Sequence, residues 1–274
     1  LACVYSLLTL AAISVIFPLL YVISVSLTPY TEVLKHGGFT IVPRKVTLEA
    51  YIAFLNDTKI PRAYGVTVFL TVVGTLLNLV FTCLMAYPLS KKSLPYRSVL
   101  LFIVVFTLLF NGGIIPTYLI VKGTGLVNSL WAMIIPGLVN TFYLLIMKTF
   151  FEDLPESLDE AARIDGAGEW RTFVAIVLPL SLPIMATVGL FYSVGHWNQF
   201  FAGIIYMTDQ DKYPLQVVLR GILNQSQLQT MEMDFERVLP TESLQMAAVI
   251  LSTLPILVVY PFIQKYFTQG ALLG

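Results

Sequence analysis

DLPESLDEAARIDGAGEW, residues 153–170, lies between two long apolar runs and carries seven charged side chains, in a chain of which only 12% is charged. Asp153 reads as a helix cap, Glu156 three positions on completes a capping box, and Pro155 sits near the start, where its missing N–H costs nothing. Gly166 supplies the left-handed residue that ends the helix. About 12 residues at 1.5 Å each span roughly 18 Å, too short for a bilayer core of about 30 Å. This helix must therefore lie outside the hydrocarbon. Leu154, Leu158, Ala161 and Ala162 share one face, while Glu156, Asp159, Glu160 and Arg163 take the remainder. A leucine knob beside small alanines suits docking into a groove on another protein. An interfacial helix resting on lipid headgroups would be basic, and this one sets five carboxylates against one arginine.

The surroundings are membrane. Hydrophobic types make up 57% of the 274 residues and the mean hydropathy is +0.81. Soluble domains are roughly 25% charged. Six runs reach the ~20 apolar residues that a spanning helix needs: 1–27, 64–89, 98–121, 126–147, 174–207 and 244–267. The expected fold is an all-α membrane protein, a single permease-like domain over 1–274 with six transmembrane helices and a short helix outside the bilayer. A β-barrel is excluded, because the runs are far longer than a tilted strand and do not alternate. The first run lacks the basic start and cleavage site of a signal peptide and reads as a span preceded by a tail. Asn111-Gly112-Gly113 with Pro116, Pro136-Gly137, and Pro179 with Pro183 interrupt three runs and mark candidate hinges.

Two long connections, 28–63 and 208–243, fall on one side as external loops. The turn SKKSLPYR and the acidic stretch fall on the other. Lys91, Lys92 and Arg97 in that compact turn place its side in the cytoplasm, since the positive-inside bias is read from short loops.

Sixteen basic residues balance sixteen acidic ones, which gives no electrostatic case for nucleic acid. Cys3 and Cys83 sit in apolar runs and, with only His36 and His196, make no zinc site. The chain contains no Gly-Lys pair and hence no P-loop, so any ATP and magnesium must be held by another chain. No nucleophile and base form a catalytic constellation. We therefore expect no catalytic residue, no metal and no cofactor in this chain.

Residues 160–183, EAARIDGAGEWRTFVAIVLPLSLP, resemble the EAA signature of permease subunits in bacterial ABC importers, with the Asp-Gly-Ala and Leu-Pro elements intact. The six-run layout, W197-N-Q-F-F and Y213-P-L-Q are similar to the carbohydrate-uptake group of the maltose type. The resemblance covers nearly the whole chain. It implies the type I ABC importer permease fold in the bacterial cytoplasmic (inner) membrane, with 153–170 as a cytoplasmic coupling segment seated on an ATPase. Glu160, Ala161, Ala162, Asp165 and Gly166 match the motif, with Leu158 beside them; Glu160 would be the polar anchor and Gly166 the bend. Partners implied are a second, homologous permease, two ATPase subunits, an extracytoplasmic substrate-binding protein, membrane lipid and an oligosaccharide, uronides included. Gln225, Ser226 and Gln227 in the last external loop are the expected binding-protein contacts.

Gly189, Tyr192, His196, Gln199 and Gly203 would fall within about 80° of one helix face if the fifth span were continuous. Such a stripe lines either a watery route or a helix contact. As a route it makes Tyr192, His196 and Gln199 substrate-pathway residues, with Asn111, Asn140 and Tyr143 as further candidates. Asn198 points the other way, toward a hydrogen bond with a neighbouring helix. An ion-coupled secondary transporter is the alternative function. It would show internal repeats and midplane ion sites, and the sequence offers neither an evident repeat nor an intramembrane carboxylate.

Overall fold

A computed structural model describes residues 2–35, 40, 42–43, 45–56, 58–229 and 242–270, the side chains of 2, 34, 225–229 and 259–270 excepted. Among the described residues there is no strand. Two units make up the chain, Leu1–Gly65 with Tyr213–Val258, and Val66–Lys212 with Val259–Gly274.

The first unit contains α1 (Ala2–Ser26), α2 (Tyr30–Lys35) and α3 (Glu49–Asn56), the first turn of α4 (Lys59–Ser90), α13 (Leu215–Gln229) and most of α14 (Glu242–Gly270). The apolar side chains of α1 are largely exposed, as a lipid-facing helix requires. Its polar end is fastened by side chains, with Ser26 Oγ 2.7 Å from the Tyr51 hydroxyl and Ser243 Oγ donating to Thr28 O at 2.8 Å.

The second unit takes the rest of α4, then α5 (Arg97–Leu109), α6 (Ile114–Gly123), 3-10 turns at Leu130–Met133 and Ile135–Gly137, α7 (Thr141–Glu152) and α8 (Glu156–Ile164). It continues through α9 (Glu169–Thr172), a π turn at Phe173–Val177, α10 (Leu178–Leu180), α11 (Leu182–Trp197) and α12 (Phe201–Tyr206). Its core joins Cys83, Ala86 and Tyr87 of α4 to Leu144, Met147 and Phe151 of α7, with Phe173, Val177, Val188 and Tyr192.

Two helices, Cys3–Ser26 within α1 and α4, are long and apolar enough to cross a membrane outright. Three of the expected unbroken runs are bent pairs instead. The run 98–121 turns by 114° between α5 and α6, 126–147 by 51° before α7, and 174–207 by 78° at Ser181. Counted as single spans, they bring the total to five, and α14 occupies the last expected run. The causes are local. Gly113 takes φ +85, and the Asn111 side chain accepts from its N–H at 2.8 Å. Pro179 and Pro183 each remove a ladder donor, so Ser181 N–H is shared between Val177 O and Leu178 O at 3.0 and 3.1 Å.

The expected cap is also corrected. Asp153 ends α7, its N–H donating to Thr149 O at 3.1 Å, and Pro155 stands at the α8 cap position with no side-chain cap bond. Pro155 has no N–H and a fixed φ, so the chain turns there and α8 begins at Glu156. It is nine residues long, shorter than expected.

Candidate functional site

The C-terminus of α8 follows from its sequence. Asp165 is the last helical cap residue, and Gly166 adopts φ +74. Gly166 N–H then donates to Arg163 O at 3.0 Å and Ala167 N–H to Ala162 O at 2.8 Å. That pair of bonds is a Schellman motif, which satisfies the last carbonyls and redirects the chain into α9.

The faces of α8 are divided. Leu154, just before it, packs on the chain's own core, Ala162 is buried and Leu158 is half-buried. Glu160, Ala161, Asp165 and Gly166 are exposed, and Ile164 is 87% exposed. Ser157, Glu160, Ala161 and Ile164 therefore form the outward stripe. Ile164 was missed because the motif reading concentrated on its charged and small neighbours. Its apolar side chain at i+4 from Glu160 was the available signal.

The inward side of α8 is pinned by charge. Lys91 Nζ pairs with Asp159, and Lys92 Nζ lies 3.2 Å from Glu156. Arg163 Nη2 donates to Glu169 Oε1 at 2.9 Å, and the Tyr87 hydroxyl donates to Glu169 Oε2 at 3.1 Å. Glu169 precedes the apolar run that starts at 174. Its carboxyl is held below the usual carboxylate range, first by the Arg163 hydrogen bond and further by the Tyr87 hydroxyl and the Lys91 charge, against partial burial. At the neighbouring corner, Glu152 pairs with both Arg97 and Lys148, and Arg97 Nε donates to Leu89 O at 2.8 Å. A groove of about 540 Å³ runs beside this network, lined by Tyr87, Lys91, Glu169, Trp170 and Phe173 among others.

A second cluster lies deeper in the same unit, around the break before α7. Asn78 Nδ2 donates to Gly137 O at 2.8 Å and Leu138 O at 3.0 Å, which leaves Asn78 Oδ1 to accept from His196 Nε2 at 2.9 Å. His196 is thereby assigned the Nε2–H tautomer. The Tyr192 hydroxyl accepts from Asn140 N–H at 3.0 Å and sits 2.8 Å from Thr82 Oγ1. Gln199 Nε2 donates to Met133 O at 2.8 Å. The unwound strip 133–140 thus exposes peptide groups that α4 and α11 satisfy, as broken helices in a membrane demand.

The expected pathway residues separate into two places. Tyr192, His196, Asn140 and Tyr143 converge, with Tyr143 stacked on Phe191 at 5.6 Å and edge-on to Tyr192 at 4.8 Å. The Asn140 side chain caps α7, accepting from Phe142 and Tyr143 N–H at 3.0 and 3.3 Å. Asn111 lies apart, in a groove of about 270 Å³ with Thr117, Phe201 and Tyr206. The single five-residue stripe is not formed, because α11 ends at Trp197 and Gln199 and Gly203 lie beyond it. Asn198 is corrected too: its side chain bonds Val194 O of its own helix at 2.9 Å. The side chains of Gln225, Ser226 and Gln227 lie outside the described residues.

Sequence reading missed the α4 half of this cluster. Thr67, Thr71, Thr75, Asn78 and Thr82 recur at i, i+4, i+8, i+11 and i+15, within about 80° of one face. The buried Thr71 and Thr75 hydroxyls have no partner among the described residues. Gly74 lets the helices approach, since a Cβ there would meet His196 Nε2 at 2.5 Å.

Comparison with known proteins gives a consistent family. The model of a family described as binding-protein-dependent transport system inner membrane component matches residues 89–272. The chain is 46% identical to protein LplC of Bacillus subtilis, over 94% of this chain and 88% of that one. It is 43% identical to the polygalacturonan/rhamnogalacturonan transport system permease protein YtcP of the same organism, over 99% and 96%. A crystal structure of a bacterial ABC transporter involved in import of the acidic polysaccharide alginate contains a chain of the same fold. The TM-score is 0.88 at 30% identity, covering 97% of this chain and 95% of that one.

Proposed function

This chain belongs to the family of binding-protein-dependent transport system inner membrane components, the type I permeases of ABC importers, and on that premise we propose how its parts divide the work. It is a non-catalytic, membrane-embedded permease subunit for oligosaccharide import, and ATP hydrolysis belongs to separate ATPase subunits. The family works with a second permease, ATPases and a substrate-binding protein. In our reading α8 is the coupling helix, which seats Glu160, Ala161 and Ile164 in a cleft of a cytoplasmic ATPase that holds ATP and magnesium. Gly166 re-aims the chain toward the bundle.

The observation that carries this reading is an 87% exposed isoleucine on a charged helix whose opposite side is already occupied. An apolar side chain standing in water beside a carboxylate that the chain does not use is an anchor waiting for a pocket. The cargo class follows the relatives, one named for polygalacturonan and rhamnogalacturonan and one solved for acidic alginate. We therefore assign acidic oligosaccharides built from uronic acids. Tyr192, His196, Gln199, Asn140, Tyr143 and Asn111 provide neutral hydrogen-bonding and aromatic groups near the route. Recognition of the carboxylates then falls to the binding protein or to the partner permease.

The test is reconstitution of the complete importer in proteoliposomes, with ATP hydrolysis and uptake measured against neutral and uronide oligosaccharides. Uronide-stimulated hydrolysis that is lost in Glu160→Ala and Ile164→Asp supports the assignment. Uptake by this chain alone, driven by an ion gradient and indifferent to both substitutions, would favour the secondary-transporter alternative.

A further inference from the structure

Two routes lead from α8 into the membrane part of the second unit. The covalent one runs through Gly166 and α9 into α11, and it is interrupted twice, by the π turn Phe173–Val177 and by the 78° bend at Ser181. A displacement entering it meets turns whose hydrogen-bond ladder is already loosened.

The non-covalent route is shorter and stiffer. Lys91 Nζ pairs with Asp159 of α8 and lies 4.6 Å from the Tyr87 ring centroid. The two side chains of that pair are only 22% and 30% exposed, whereas Lys92 and Glu156 beside them are 80% and 79% exposed. Arg163 reaches the same place through Glu169, whose second oxygen accepts from the Tyr87 hydroxyl. Two links from one side of α8 therefore converge on Tyr87 and Lys91. Tyr87 is itself wedged in the core, 4.7 Å from the Phe173 ring and 6.4 Å from Phe151. Behind it α4 continues as one helix, with Pro88 only in its last turn. It carries Thr82 and Asn78, the two residues that hold Tyr192, His196 and the carbonyls of Gly137 and Leu138.

We propose that Lys91, seated on Tyr87 and paired with Asp159, is a positioning residue that transmits movement of α8 to α4, and through Asn78 and Thr82 to the broken strip 133–140. The inference rests on α8 being the element that the ATPases move. Lys92 takes no part in it, since a fully hydrated pair is worth little and yields easily.

The experiment uses the complete importer, with its partner permease, ATPases and binding protein, in proteoliposomes. The variants are Lys91→Glu, Asp159→Lys, the double charge exchange, Lys91→Met, Lys91→Arg and Lys92→Ala. Basal hydrolysis, stimulation by loaded binding protein and sugar taken up per ATP are read for each. The expected result is a loss of about tenfold in stimulation and uptake per ATP for Lys91→Glu, Asp159→Lys and Lys91→Met, with assembly and basal hydrolysis retained. Lys91→Arg and the double exchange return most of the lost stimulation, and Lys92→Ala loses none. A mere folding role would lower assembly and basal hydrolysis together and leave the ratio unchanged.

If Lys91→Met stimulates as the native chain does, or the double exchange is no better than the weaker single variant, the proposal fails. Should Lys91→Glu not assemble, Lys91→Met and Lys91→Arg decide. Glu160→Ala runs in parallel to separate the two ideas. If Glu160→Ala uncouples and Lys91→Met does not, only this route is wrong, and if neither uncouples, the assignment of α8 falls as well.

Discussion

A methyl group at position 74 has nowhere to go. The nearest atoms to an added Cβ are His196 Nε2, Cε1 and Cδ2 at 2.5, 2.7 and 2.8 Å, and that ring is fixed by its bond to Asn78. Gly74→Ala is expected to cost about 1–3 kcal/mol by overpacking, read as a lower melting temperature of the detergent-solubilised complex. Gly195→Ala, where nothing lies within 4 Å, should leave it unchanged or raise it. Asn78→Leu tests the polar side of the same contact. It strands two carbonyls and the His196 N–H, each worth about 1–3 kcal/mol when buried without a partner. Its melting temperature should fall below that of Thr82→Val, which leaves Tyr192 bonded to Asn140. Tyr192 and His196 were readable from their spacing on one helix. Asn78 was not singled out because a lone amide between apolar turns carries no signal until the threonines around it are counted as one face.

For the helical elements, hydropathy located the apolar runs but not their interior geometry. A window average is the same for a straight run and for one bent by 114°, because bending depends on where single peptide groups lose their partners. The prolines and glycines at 111–113, 136–137, 179 and 183 marked those places, while the angles came from tertiary packing. The end of α8 was fully legible, since only a left-handed residue closes a Schellman motif there. Nothing lies within 4 Å of a Cβ built on Gly166, so the penalty for a side chain is conformational. Gly166→Asn should be tolerated in transport assays, and Gly166→Val should cost more than about 1 kcal/mol and reduce coupling. The link from α8 to α9 is also sensitive to acid. Because the Glu169 carboxyl titrates lower in the folded chain than in the unfolded one, its contribution is complete above the ordinary carboxylate range and disappears as pH falls through the depressed value. With both partners more than 60% exposed, that contribution is at most about 1 kcal/mol. The melting-temperature gap between native chain and Glu169→Gln should be small at pH 7 and close on acidification.

On the scale of the whole molecule, a chain with no nucleotide motif has to borrow its energy, and its membership of an importer family makes that dependence obligatory. The purified chain alone in liposomes is expected to show neither hydrolysis nor sugar uptake under sodium or proton gradients, and both should appear on addition of the remaining subunits. The family and its membrane location were readable because the EAA segment combines charge, small residues and a terminal glycine in one short helix. The division into two units was not readable, because it depends on α13 and α14 joining the first 65 residues, a long-range pairing that no local pattern announces.

The π turn at Phe173–Val177 makes chain length itself a functional variable. Such a turn holds one residue more than an α-helix needs to cover the same path. Deleting a single residue there, the exposed Val174 for instance, would let the helix close up in α register and advance the phase of everything after it by about 100°. Tyr192 and His196 would then rotate away from Thr82 and Asn78 without either side chain being altered. Substitutions within this turn should therefore be forgiven far more readily than insertions or deletions.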